Sequence, residues 1–175
     1  MYPKLIQSVA ANVAEWLVEK RVTHVFGIVG GGNVVLWNEI AKTTQIVCCH
    51  HEQAAVMAAT SFGRIRGMAV ALVTTGAGST NAITGVMSAW MDSQPVMILS
   101  GNEKLATLSA GTRTLGVQGY DSIAVSRQFT KFSARITHAR GWNYELERAW
   151  LAANTPRKGP VWIDIPSDVQ HAIAI

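Results

Sequence analysis

Glu52 is an acid set where two hydrophobic runs meet. The segment QIVCC (45–49) reads as a buried strand, His50, His51 and Glu52 follow, and QAAVMAATSFGR then carries a helical pattern. A carboxylate at a strand-to-helix junction sits where α/β sheets gather their working groups, and it can hold or share a proton. Further on, AVALVTT (69–75) reads as a second strand running into GAGSTN (76–81), a small-residue loop that opens another helix. Small residues let a ligand approach the backbone closely. One acid and one tight loop, each at a strand end, predict a site. Position alone also allows Glu52 a plain structural role, because an acid in a first helical turn is favoured by the helix dipole.

The elements that must position these groups alternate. Leu5, Val9, Val13, Trp16 and Leu17 form an apolar stripe and predict a first helix. Residues 23–29 predict a strand, 30–33 (GGGN) a turn and 34–42 a short helix. Strand 45–49, helix 53–66 ended by Gly67, strand 69–75, helix 80–91 and strand 95–100 follow. Residues 101–120 hold four glycines and few large apolar residues, which predicts a long surface loop. A short helix at 121–127, a strand at 131–136, a helix from Trp142 to Ala153 and a last strand at 160–166 complete the pattern. Apolar strands without alternation imply burial on both faces, as in a parallel sheet covered by crossover helices. The prediction is a three-layer α/β/α domain with a mainly parallel sheet of about six strands. In such a sheet the turn at 29–33, Glu52, the loop at 75–81 and the loop after residue 100 converge on the carboxyl edge.

With 175 residues the chain is long enough for one domain with a sizeable core. Hydrophobic residues make up 49% and charged residues 15%, which argues against disorder. The net charge of +4 is mild and its Lys and Arg are scattered, so neither nucleic acid nor a membrane is an expected partner. No apolar run is long enough to span a bilayer, and the N-terminus lacks the form of a signal peptide. The cysteines, Cys48 and Cys49, are adjacent, would point to opposite faces of a strand, and lack a CxxC spacing. They read as small buried residues and fit a reducing cytoplasm. His50 and His51 read as one packed and one rim residue, and Lys4, Lys20 and Arg21 as a solvated face. The six tryptophans read as core or interface anchors, Trp90 with Met91 facing a partner chain.

GAGSTN, with the acid Glu103 near the next strand end, imitates a dinucleotide-binding fingerprint, but Asn81 stands where the third glycine belongs and the motif lies mid-chain. Neither a GxxxxGK[ST] phosphate loop nor a GxSxG elbow occurs.

Taken in order, VFGIVGGGN (25–33), HHEQAA (50–55), LVTTGAGSTNAITGVMSAWMDSQPVMILSGN (72–102), Gln118 before Asp121, SRQFTKFS (126–133) and GPVWIDIPSDVQ (159–170) make the chain resemble a known family. It is similar to the N-terminal, pyrimidine-binding domain of thiamine diphosphate enzymes of the acetolactate synthase and 2-oxo-acid decarboxylase group, from about Leu5 to Gln170. The resemblance implies that Glu52 hydrogen-bonds a ring nitrogen of the cofactor's aminopyrimidine and favours the imino tautomer, which takes the proton from the thiazolium carbon. It places Ile28, Val29 and Gly30 beside the reacting centre. It has Thr75, Gly76, Ala77 and Gly78 line the pyrimidine, and turns Gln118, with Val29, toward the substrate.

Departures from the family are also legible. Val29 stands where many relatives have Pro, and Met57, Thr60 and Ser61 replace His, Asp and Gly. No GDG motif, the mark of the family's diphosphate- and Mg²⁺-binding domain, occurs. The expectation is therefore a single pyrimidine-binding domain over residues 1–175, binding no metal itself. It would work as a homo-oligomer, through helices 53–66 and 80–91, or with a chain or domain that carries GDG…N. Its implied activity is decarboxylation of, or carboligation with, a 2-oxo acid. The rival readings are a non-catalytic interaction domain and the small subunit of a split, sulfopyruvate decarboxylase-like enzyme.

Overall fold

The computed structural model describes residues 7–174. Six strands, β1 (His24–Gly27), β2 (Gln45–Cys48), β3 (Ala69–Val73), β4 (Val96–Asn102), β5 (Phe132–Arg135) and β6 (Val161–Pro166), form one sheet in the order β2-β1-β3-β4-β6-β5. Every pairing is parallel. Every residue of β3, β4 and β6 is buried, as their largely apolar runs predict, and the polar Ser100, Asn102 and Asp164 are buried with them. Each such Val, Leu or Ile contributes roughly 1.5–3 kcal/mol by leaving water.

Two helical layers cover the sheet. Helices α1 (Val9–Glu19), α2 (Val34–Ile40) and α7 (Trp142–Asn154) bury Trp16, Leu36 and Leu146 against Leu72, Leu99 and Ile163. Helices α3 (Glu52–Arg66) and α4 (Ala77–Met91) bury Val56, Ala59, Ala82 and Val86 against Phe26, Ile98 and Trp162 on the other face. The contacting residues of α3 and α4 are small. A Cβ on Gly85 would stand 2.7 Å from Val56 Cβ and 3.0 Å from Gln53 O, so the two helices sit close together. Short helices α5 (Leu105–Leu108), α6 (Ser122–Ser126) and α8 (Ser167–His171) decorate the carboxyl edge.

Several sequence expectations need correction. Strand 45–49 is not buried: β2 lies at the sheet edge, Cys48 is exposed and Cys49 half-buried. An apolar run cannot report which strand ends at an edge, since that depends on the order of pairing. The helix predicted from residue 80 starts at Ala77, because Gly76 (φ 63°) supplies the turn into it. Within the predicted loop 101–120, Gly101 and Asn102 extend β4 and are buried, and α5 adds one helical turn. Residues 167–171, beyond the last predicted strand, form α8.

His50 and His51 are both exposed, and His51 caps α3 by accepting the Gln53 N–H at Nδ1 (3.2 Å). Lys20 is not merely solvated. Its Nζ lies 2.8 Å from Glu147 and 5.4 Å from the centre of the Trp16 ring. Leu5 and Lys4 lie outside the described residues. Among the described residues no helix is long and apolar enough to cross a membrane.

Candidate functional site

The carboxyl ends of β1, β3 and β4 surround a cavity of about 500 Å³ lined by Gly30, Gly32, Thr75, Asn102, Glu103 and Gln118, among others. The turn after β1 forms one wall. Asn33 is fully buried beneath it and closes it from both ends: its Oδ1 accepts the Gly30 N–H (2.8 Å) and its Nδ2 donates to Ile28 O (3.0 Å). Val29 is thereby pushed to the outer tip, 49% exposed. Gln170 of α8 fastens the turn from behind, donating to Gly32 O and Ile165 O, both at 2.7 Å.

Thr74 and Thr75, just past β3, form the floor. Thr75 is buried and bonds Gly101 O (3.3 Å), while Thr74 Oγ1 accepts the Gly32 N–H (3.1 Å). A Cβ on Gly30 or on Gly78 would lie 2.6 Å from Thr74 Cγ2, so this one side chain fills the space between the β1 turn and the start of α4. Gly76 has a backbone conformation suited to glycine, and a Cβ there would lie 2.6 Å from Gln118 Cβ.

Glu52 is the first residue of α3 and is 8% exposed. Asn81, one turn into α4, donates from Nδ2 to Glu52 Oε2 at 3.1 Å. Glu52 Oε1 faces Gly78, 3.2 Å from where a Cβ would stand. No cation pairs with Glu52 among the described residues. A buried acid that rests on a neutral amide is unusual and keeps an oxygen for another proton-bearing group.

Of the residues singled out in the sequence, Gly30, Thr75 and Gln118 line the cavity directly. Gly76 joins them through Gln118, whereas Glu52 and Gly78 do not line it, Gly78 lying against Thr74 and Glu52. Ile28 contributes its carbonyl to the turn, and Ala77 is exposed at the first position of α4. Sequence reasoning missed Asn33, Thr74, Asn81, Asn102 and Glu103. A partial signal existed for two of them, since Asn81 closes the small-residue loop and Glu103 is an acid just past the end of a strand run. Nothing local marks Asn33, Thr74 or Asn102. Among the described residues no three His, Cys, Asp or Glu side chains gather as a metal site.

The sequence of residues 7–125 matches the family described as thiamine pyrophosphate enzyme, N-terminal TPP binding domain. The chain belongs to this family. It is similar to the acetolactate synthase isozyme 3 large subunit of Escherichia coli strain K12, 36% identical over 163 residues that cover 91% of this chain and 28% of that protein. The acetolactate synthase large subunit of Buchnera aphidicola subsp. Schizaphis graminum is 34% identical over 167 residues, covering 94% and 28%. The mitochondrial acetolactate synthase of Schizosaccharomyces pombe is 31% identical, covering 91% and 24%. The chain thus spans about a quarter of the length of these curated relatives. For this TPP-binding domain, the small-residue rim and the buried acid lie together at one edge of the sheet.

Proposed function

We propose that this chain is a single pyrimidine-binding domain of a thiamine diphosphate-dependent enzyme, and that Glu52 holds the proton its cofactor chemistry requires. One observation carries the reading: Glu52 is buried, is held by the amide of Asn81 and faces a glycine. The residues present suit an aminopyrimidine. A carboxylate offers an acceptor for a ring nitrogen, and the small residues Gly76, Ala77 and Gly78 keep the start of α4 low beside it. When bound, thiamine diphosphate supplies the electron sink for decarboxylation of a 2-oxo acid.

The protein's own residues do the rest. Asn81 fixes Oε2 of Glu52, which leaves Oε1 to hold or pass the proton. Thr75, Gly76, Ala77 and Gly78 line the ring. The Asn33-braced turn presents Ile28, Val29 and Gly30 beside the reacting centre. Gln118, with Asn102 and Glu103 next to it in the cavity wall, faces the 2-oxo acid. Mg²⁺ and the diphosphate belong, in this reading, to a partner domain or chain that carries the GDG…N motif. The enzyme decarboxylates or joins 2-oxo acids in the manner of acetolactate synthase, in the cytoplasm, as an oligomer.

The test uses the enzyme completed with a chain that carries the GDG motif. Glu52→Gln keeps the shape and the Asn81 contact but removes the acid. Turnover falls about a hundredfold or more while the melting curve of the domain stays close to the parent's. Turnover near the parent level overturns the assignment.

A further inference from the structure

Asp164 is wholly buried on β6 and does not itself line the cavity. It is nonetheless the anchor of a side-chain network that reaches both ends of the segment 103–121. Its Oδ1 accepts from Ser100 Oγ (2.9 Å), which in turn accepts the Trp162 indole N–H (2.8 Å). Its Oδ2 accepts from Arg135 Nε (2.7 Å), and Asn102 Nδ2 lies 3.0 Å from Oδ2 and 3.2 Å from Oδ1.

From there the network runs two ways. At the near end, Asn102 lines the cavity, and its Oδ1 accepts the Glu103 N–H (2.9 Å). At the far end, Asn102 Nδ2 also lies 3.4 Å from Tyr120 O and 3.5 Å from Ser122 Oγ, and Arg135 reaches Asp121 Oδ1 at 3.4 Å. Asp121 caps α6 through the Ala124 N–H (3.2 Å). Each far-end tie is long, so the segment depends on several at once. A buried carboxylate without hydrogen-bond donors is costly, so Asn102 and Arg135 are costly to release from Asp164. Gln118 stands two residues before Tyr120, and its backbone N–H meets Glu103 Oε1 at 3.4 Å.

We propose that Asp164 is the positioning residue of the cavity's outer wall, holding Asn102 and Glu103 at one end of the segment and Tyr120–Ser122 at the other so that Gln118 stays over Gly76. Its importance for turnover rests on the function proposed above. The positioning itself does not, and the test uses neither cofactor nor substrate.

Nuclear magnetic resonance on the isotope-labelled chain compares Asp164→Asn, Arg135→Gln and, as a control, Ile163→Val, which removes a buried methyl group from the same strand. Amide exchange is read at Gly116–Ser122 and in β3, along with the side-chain amide resonance of Gln118. Asp164→Asn and Arg135→Gln speed exchange at 116–122 by about tenfold or more beyond any change in β3, and shift the Gln118 resonance; Ile163→Val does neither. If 116–122 and β3 change in parallel, or if Gln118 keeps its resonance, the proposal fails. Arg135 is partly exposed, so Arg135→Gln decides between these outcomes alone should Asp164→Asn not fold.

Discussion

Asn81 Nδ2 lies 3.1 Å from Glu52 Oε2, a hydrogen bond between the first residue of α3 and a residue one turn into α4, 29 positions apart in the chain. It depends on the close approach of α3 and α4 at Gly85, and it leaves Glu52 with one oxygen committed and one free. Removing the amide frees the acid to rotate. Asn81→Ala costs about 1 kcal/mol or less in urea unfolding, because Asn81 is exposed on its outer side. In the completed enzyme it lowers turnover by about tenfold, more than that stability loss explains. An unchanged rate would show that Glu52 needs no such restraint.

Two glycines at the mouth of α4 are predicted to differ in cost. A Cβ at Gly78 meets the end of the Thr74 side chain at 2.6 Å and Glu52 Oε1 at 3.2 Å, so Gly78→Ala forces a side-chain shift worth about 1–3 kcal/mol. At Gly76 the backbone (φ 63°, ψ −119°) disfavours any Cβ, which would also lie 2.7 Å from the Gln118 carbonyl oxygen. Gly76→Ala therefore adds strain of about 1–3 kcal/mol to the clash. Urea midpoints should fall in the order parent, Gly78→Ala, Gly76→Ala. The reverse order would mean that the loop after β4 yields more easily than Thr74 does.

Glu147 carries a small acid-sensitive contribution to stability. Burial alone would raise its carboxyl group. The hydrogen bonds from Lys20 and Trp16 and the Lys20 charge outweigh burial and hold it below its ordinary value of 4.5. A depressed folded-state value means that the contribution is fully present above pH 4.5 and is lost as pH falls through the lower, folded value. The side chain is 46% exposed, so solvent screening keeps the gain under about 1 kcal/mol. Melting temperatures of parent and Glu147→Gln, taken from neutral pH downward, should converge in acid. A constant gap across that range would refute the pairing as its source.

Met57, Met87, Trp90 and Met91 leave apolar surface exposed on α3 and α4. Such a patch favours association. At micromolar concentration the chain is expected to sediment as a species larger than one copy, and Met87→Glu with Met91→Glu to return it to a single copy. A parent chain that sediments as one copy counts against assembly through these helices.

The apolar runs of β3, β4 and β6 and the stripes of α1 and α7 were legible because each reports its own burial over a few neighbouring residues. Glu52 and Gly76–Gly78 were legible because an acid or a tight turn at a strand end has a local meaning. Where β2 failed as a buried strand, the missing information was its place at the edge, which only the pairing order contains. Asn33 and Asp164 were not legible because a polar residue says nothing about the distant donor or acceptor that will satisfy it.

The chain's residue order by itself determined an alternating α/β domain, the position of one acid and a glycine-lined turn, and the family to which they belong. Tertiary structure alone decided that Glu52 rests on Asn81, that Thr74 packs between the β1 turn and the start of α4, and that Asp164 ties the wall carrying Gln118. The reason is physical: helix and strand patterns arise from neighbours in sequence, whereas a buried polar group is stable only beside partners that folding brings from elsewhere.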